Sequence, residues 1–229
     1  MKNALCAFLL TLSAISFGQE IALSFGMAKY DHDDLIKVIK SLSQSPLPDI
    51  TLTTPGTNWY PQVTLTHAIT KRFEVGILGE YHSTDFRSRG TNNSDTERIV
   101  DQKLNGLLLG ILTRFNVYQL QKHTVSLSGI AGASRTWVQI EFFFQDSERT
   151  EQSELSFKGT NMTLVSYLNY QYDLHSHLSA SLNVGYQVDA LKGKLASEEF
   201  DGSLLLTDGS NAKANWSGVR TSIGLSYRF

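Results

Sequence analysis

Residues 178–188 read LSASLNVGYQV. Leu178, Ala180, Leu182, Val184, Tyr186 and Val188 fall on one parity, and Ser179, Ser181, Asn183, Gly185 and Gln187 fall on the other. Successive side chains of a strand point to opposite faces, so this stretch predicts a strand with one apolar face and one face of small polar groups. The apolar face carries no charge and meets the roughly 9–11 residues that a tilted strand needs to cross a bilayer.

The same period of two recurs along the chain. Eight segments carry it, near 20–30, 58–70, 72–83, 102–117, 123–142, 155–173, 177–190 and 214–229. The links alternate in kind: 31–57, 84–101, 143–154 and 191–213 are long and polar, whereas those around Lys71, 118–122 and 174–176 are brief. Short turns on one side and long loops on the other are the build of a transmembrane barrel. An even count of strands puts both ends on the turn side, which is the periplasmic side. One parity stays apolar throughout, as in Leu23, Phe25 and Met27, in Leu107, Leu109 and Ile111, and in Ile223 and Leu225, with no Asp, Glu, Lys or Arg. A Lys or Arg there, facing lipid at mid-depth, would cost about 2–4 kcal/mol. The competing reading is a soluble eight-stranded barrel with its apolar parity around a ligand. It requires a charged exterior. The second parity is instead mostly Ser, Gly, Asn, Thr and Gln, sizes that fill a narrow lumen. Phe73, Phe115, Tyr170, Tyr172, Tyr227 and Phe229 lie beside the short turns and Tyr81 and Tyr186 toward the loops, as aromatic girdles do.

Composition narrows the function classes. The chain has 229 residues and 20 Lys+Arg against 22 Asp+Glu, a net charge of -2 that gives no case for binding nucleic acid. The beginning reads as an export signal: Lys2, an apolar stretch from Ala4 to Phe17, and Ser16 and Gly18 at the small positions of a cut before Gln19. Residues 1–18 are expected to be removed, and 19–229 to form one barrel domain. Cys6, the single cysteine, leaves with the signal, so the mature chain has no thiol for a disulfide, a nucleophile or a metal site.

The last strand, Val219-Arg220-Thr221-Ser222-Ile223-Gly224-Leu225-Ser226-Tyr227-Arg228-Phe229, resembles the C-terminal signal of bacterial outer-membrane β-barrels. That resemblance implies that Ile223, Leu225, Tyr227 and Phe229 are read by the barrel-assembly machinery. In size and strand count the chain is similar to the small eight-stranded barrels typified by OmpX and the membrane part of OmpA. Its Ser-Phe-Gly before Gln-Glu is similar to the signals of Bacteroidetes outer-membrane proteins. No periplasmic domain is expected after the barrel, so the resemblance does not extend to the peptidoglycan anchoring of full-length OmpA.

A barrel of eight strands is just wide enough for its own side chains and so is not an open pore. Its inward parity carries Glu74, Glu80, His82, Arg114, Asp189, Arg220 and Arg228. Buried charges must be paired, and the expectation is a lumenal network of Glu74, Glu80, Arg114 and Arg220, with Glu74 beside Arg114; a gated small-ion path is the rival use. Small barrels also include lipid A deacylases and palmitoyl transferases. Deacylation needs a Ser activated by a His, yet His82 and Ser83 are adjacent on a strand and point to opposite faces. His175 and His177 lack a third metal ligand. No catalytic, cofactor or metal site is expected.

Among the loops, Asp33 or Asp34 caps a helix whose Leu35, Val38, Ile39 and Leu42 recur at helical spacing, stopped by Pro46 and Pro48. That stripe either packs on the strand ends as a lid or docks a partner or lipopolysaccharide. The acidic segment from Gln145 to Glu154 suits a solvated tip or weak divalent-cation binding among headgroups. The hairpin of 123–142 and 155–173 is expected to project outward with an edge open to strand addition. The expectation is thus an all-β, eight-stranded antiparallel up-and-down transmembrane barrel, a monomer among outer-membrane lipids with a structural or surface-interaction role and an extracellular partner at its loops. A narrow porin-like channel and a lipid-modifying enzyme are the alternatives.

Overall fold

The computed structural model describes residues 19–44, 49–53, 56–91, 97–145, 150–197 and 199–229. The export signal with Cys6, the prolines Pro46 and Pro48 and the tip at 146–149 lie outside them. Alternation of the kind seen at 178–188 builds ten strands: β1 (Gln19–Tyr30), β2 (Asp49–Thr53), β3 (Asn58–Ala68), β4 (Phe73–Thr91), β5 (Glu97–Leu120), β6 (His123–Gln145), β7 (Thr150–Asp173), β8 (Leu178–Lys192), β9 (Ala196–Ser197) and β10 (Gly218–Arg228). One helix, α1 (Asp33–Gln44), follows β1.

Eight of the strands close a ring. Each pairs antiparallel with its neighbour in the order β1-β3-β4-β5-β6-β7-β8-β10, and β10 returns to β1 with Leu23 opposite Leu225. A pairing line that leaves β8 at Asp189 passes through Thr163, Gly132, Gly110, Leu78, Thr64, Ala22 and Ser226 and comes back to β8 at Ser179, ten residues away. Such a stagger forces the strands to tilt by roughly 35–45°. Closure leaves the ring without an edge, so every ladder group within it is paired.

The apolar parity faces out. Leu23 is 62% exposed, Ile111 65% and Ile223 66%, whereas Ser179, Ser222 and Ser226 behind them are buried. An inward-packed soluble barrel would show the reverse.

Three expectations are corrected. The segments 84–101 and 143–154, read as long polar loops, are largely strand: β4 runs to Thr91, β5 starts at Glu97, and β6 and β7 reach Gln145 and Thr150. Along β4 the buried Thr84, Phe86 and Ser88, and along β5 the buried Val100, Gln102 and Leu104, keep the period of two where outward polar residues disguised it, whereas from Phe143 to Glu154 no described side chain is buried and the ladder alone shows the strands. Second, the inward parity is not polar throughout: Leu78, Leu108, Leu112, Ile130 and Val165 form an apolar cluster within the belt, and above it Phe86, Val100, Leu104 and Val138 join a larger apolar core beside the buried Thr84, Ser88 and Gln102. Third, the last strand begins at Gly218, not near 214, and Ala214 and Trp216 enter the core as loop.

Above the apolar belt the extensions of β4–β7 thus form a half-shell. β2 flanks it on β4, through Asp49 opposite Thr91 to Thr53 opposite Arg87, and β9 flanks it on β7 through Ala196 and Ser197. The edge expected to be open for strand addition is covered at these positions. The hollow is filled by α1, whose Leu35, Val38 and Ile39 are buried with Leu42 packed alongside, and by Leu195, Ala212, Ala214 and Trp216 from the segment between β8 and β10. The helical stripe is therefore a lid.

Candidate functional site: the closed lumen

Two layers of charge and one layer of rings fill the barrel from the turn side upward. The lower layer gathers Glu20 of β1, Glu74 of β4, Arg114 of β5 and Arg228 of β10. Arg114 Nη1 donates to Glu74 Oε2 at 3.0 Å and to Glu20 Oε1 at 3.2 Å, and Arg228 Nη2 donates to Glu20 Oε2 at 3.2 Å. Glu74 and Arg114 are direct cross-strand partners. Gln171 and Asn116 add donors to Glu20 and Glu74 at 3.3 Å each. Two carboxylates face two guanidiniums, so the layer is neutral. It floors an open vestibule of about 190 Å³ lined by Thr66, Lys71 and Gln119 among others. Above it, between Ser24, Thr64, Asn183 and Ser226, lies a chamber of about 30 Å³, room for about two water molecules.

The upper layer closes the bore. Arg220 of β10 has no exposure to solvent, and an unpaired charge there would cost several kcal/mol. Its guanidinium donates to Glu80 and to Gln187, and Nε donates to Tyr60 Oη at 3.3 Å. The faces of Tyr60 and Tyr167 lie 4.2 and 5.3 Å from it, each ring offering the electron-rich side that attracts a cation. Gln62 Nε2 donates to Glu80 Oε2 at 2.8 Å. The other carboxylate oxygen sits 3.0 Å from His82 Nε2, and Tyr30 Oη and His82 Nδ1 share a hydrogen bond of 2.8 Å. The expected single network of Glu74, Glu80, Arg114 and Arg220 is thus two networks at two heights.

Trp216 roofs the plug. It stacks on His82 at 4.9 Å with planes 27° apart, meets Tyr30 and His32 edge-on, and donates from Nε1 to Thr136 Oγ1 at 2.9 Å. Its backbone amide is held by Asp189 Oδ2 at 2.8 Å, and Asp189 also accepts from Asn161 and Thr163 at 2.7 Å each. The register shift in the β7–β8 pairing at Met162/Thr163 lies beside Asp189. Glycine makes room for the rings: a Cβ on Gly26 would come within 2.2 Å of the Tyr60 ring, and one on Gly106 within 3.0 Å of Trp216.

Sequence reasoning placed Glu80, His82, Asp189 and Arg220 inside but passed over Glu20, Tyr30, Tyr60 and Trp216. Tyr60 was legible as the large inward residue of its strand opposite a bare Gly26. Trp216 was not, because it is not in a strand.

The residues weighed for other chemistry stay apart. Ser83 points outward and donates to Asn105 at 2.9 Å, away from the buried His82. Ser176 Oγ and His175 Nδ1 do share a hydrogen bond of 3.0 Å, but on an exposed turn, where His177 Nδ1 bonds the Arg228 carbonyl at 2.9 Å. No three His, Cys, Asp or Glu gather as a metal site among the described residues. The expected assembly residues Ile223, Leu225, Tyr227 and Phe229 are all exposed on the outer wall of the barrel.

No family model matches the chain, and neither does any curated relative. Solved structures do. A major outer membrane protein from Thermus thermophilus superposes with a TM-score of 0.52 at 10% identity, over 93% of this chain and all of that one. The fold is that of the outer-membrane β-barrels. OprG from Pseudomonas aeruginosa is similar over 93% of this chain and 96% of its own at 14% identity and a TM-score of 0.47. Ail of Yersinia pestis is similar over 93% of this chain and all of its own at 14% identity and a TM-score of 0.40.

Proposed function

We propose that this chain is an outer-membrane β-barrel of a Gram-negative envelope, exported by a cleaved signal and occluded along its bore, with a structural or surface-interaction role. One observation carries the reading: an uncharged, largely apolar outer belt encloses a lumen blocked by the Arg220–Glu80–Tyr60 layer and again by the packed cap above it. An open pore needs a water-filled bore, and here charge and rings occupy it. The location follows from the belt, since a side chain such as Ile111 or Ile223 gains nothing by facing water. The reading includes the Bacteroidetes-type origin suggested by the signal, recognition of Phe229 and its strand by the assembly machinery, and a single chain surrounded by lipid.

Membrane fractionation followed by electrophoresis with and without boiling tests the location: the protein belongs in the outer-membrane fraction and migrates differently when unheated. Planar-bilayer recording tests the bore, with no steady conductance expected. A narrow channel is the second reading, favoured by the vestibule of about 190 Å³ and the chamber beyond it, and a steady conductance abolished by filling that chamber would establish it. A lipid-modifying activity would reveal itself as loss of acyl chains from lipid A on expression.

A further inference from the structure

The outer wall of the cap is electrically two-sided. On the β4–β5–β6 side two cations have their acids: Arg87 donates to Asp101 at 2.6 and 2.7 Å, and Lys103 to Glu141 at 2.8 Å. The side made by β6, β7 and the segment after β8 carries Arg135, Lys158, Lys194 and Lys213. Arg135, Lys194 and Lys213 have no carboxylate within ion-pair distance among the described residues. They converge through the register. Arg135 lies opposite Thr160, whose carbonyl accepts from Gly193, next to Lys194; Lys158 lies two residues along β7 and opposite Trp137. Lys194 and Lys213 are directly opposed across an antiparallel bridge, with Leu195, Ala212 and Ala214 turned into the core so that both lysines face out. Four adjacent strands, roughly 15 Å across at the usual spacing, thus carry the group.

We propose that this face binds the phosphorylated headgroup of an outer-leaflet lipid. Two observations select that occupant. The basic group begins where the apolar belt stops: Met162 and Leu191, both exposed, sit just below Arg135 and Lys194 on the same strands or their neighbours. Arg135 also stacks over Trp137, 5.8 Å from the ring centre, an aromatic at the level where indoles mark the edge of a bilayer. Like charges placed directly opposite on a strand pair repel, and an anion between Lys194 and Lys213 removes that repulsion. Of the nearby acids, Asp34 accepts the backbone amide of Lys213 at 3.3 Å and pairs with Lys37 at 3.9 Å, and Glu154 is bonded to Gln139 at 2.7 Å. Acyl chains lie against the belt while the phosphate meets the cations above. The inference rests on the membrane orientation proposed above.

The test uses the full mature chain in bilayers of phosphatidylcholine, with and without phosphatidylglycerol at a fixed mole fraction, and counts co-purified lipids by native mass spectrometry after gentle release. Wild type should retain the phosphoglycerol lipid selectively. The triple variant Arg135→Gln, Lys194→Gln, Lys213→Gln should lose that selectivity by about fivefold per side chain removed. Arg87→Gln with Lys103→Gln, on the neutral wall, should retain it. The unboiled gel shift confirms that each variant is folded. Equal retention by the triple variant, or an equal loss in the Arg87 and Lys103 variant, overturns the inference while leaving the barrel reading intact. Displacement of the lipid by inorganic phosphate alone assigns the face to soluble anions and overturns the lipid assignment. Failure to enter phosphatidylcholine bilayers at all counts against the orientation instead.

Discussion

The guanidinium of Arg220 lies 4.2 Å from the centre of the Tyr60 ring, a contact across 160 positions of chain that joins the last strand to the third. The geometry works because Gly26, on the strand between them, leaves the space the ring occupies. Removing the cation strands the Glu80 carboxylate in a dry interior. Arg220→Met is therefore expected to cost about 3–5 kcal/mol, and adding Glu80→Gln to restore most of it, because the loss comes mainly from leaving one charge unpaired. Urea unfolding in vesicles, read by the unboiled gel shift, checks both. A double variant no more stable than the single one would contradict the pairing.

His32 sits above the belt, buried among Tyr30, Phe86 and Trp216, and neither ring nitrogen has a hydrogen-bond partner among the described residues. Burial pushes its pKa from 6.5 down to about 3, against the upward pull of Asp31. Between those values the unfolded chain takes a proton that the folded one refuses. The contribution of His32 is therefore complete above pH 6.5 and shrinks as the pH falls toward 3, at up to about 1.4 kcal/mol per unit. His32→Phe keeps a ring in the site and should flatten this part of the slope. Denaturation midpoints of the two proteins, compared at neutral pH and at about pH 4, give the answer.

Ile39 is fully buried beneath the lid helix, while Lys37 and Lys40 on the same helix are exposed. Ile39→Ala should destabilise the cap by about 2–5 kcal/mol without touching the ring of eight strands. Trypsin should then cut after Lys37 and Lys40 faster than in wild type, and the unboiled barrel should still run with its shifted mobility. Loss of that mobility would mean that cap and barrel do not melt separately.

Phe229 donates its amide to the Gln19 carbonyl at 3.0 Å and leaves its ring exposed. Phe229→Ala keeps that backbone bond. If the ring is read during assembly, as proposed, the variant should accumulate poorly in the membrane of cells yet refold from urea into vesicles as well as wild type. Equal deficits in both assays would place the defect in stability.

The membrane half of the molecule was legible because lipid imposes a simple rule: outward residues, Leu109 and Ile223 among them, are mostly apolar and include no Asp, Glu, Lys or Arg, so period two stands out. The half-shell was harder to see. There both faces have mixed demands, with water outside and a core inside, and Asp85, Arg87 and Arg89 between inward Thr84, Phe86 and Ser88 look like a loop until the burial is known. Pairing of Glu74 with Arg114 followed from counting back from a turn, whereas the partners of Arg220 come from strands far apart in sequence and depend on the stagger of the closed ring. Trp216 lay beyond any periodic signal, since a loop residue is placed by what it fills.

Trp216 belongs to both halves at once, since its ring closes the underside of the cap and rests on His82, while its amide hangs from Asp189. An unbroken line of contacts thus runs from the outermost part of the molecule to its innermost charge: cap, indole, imidazole, and the carboxylate that neutralises Arg220.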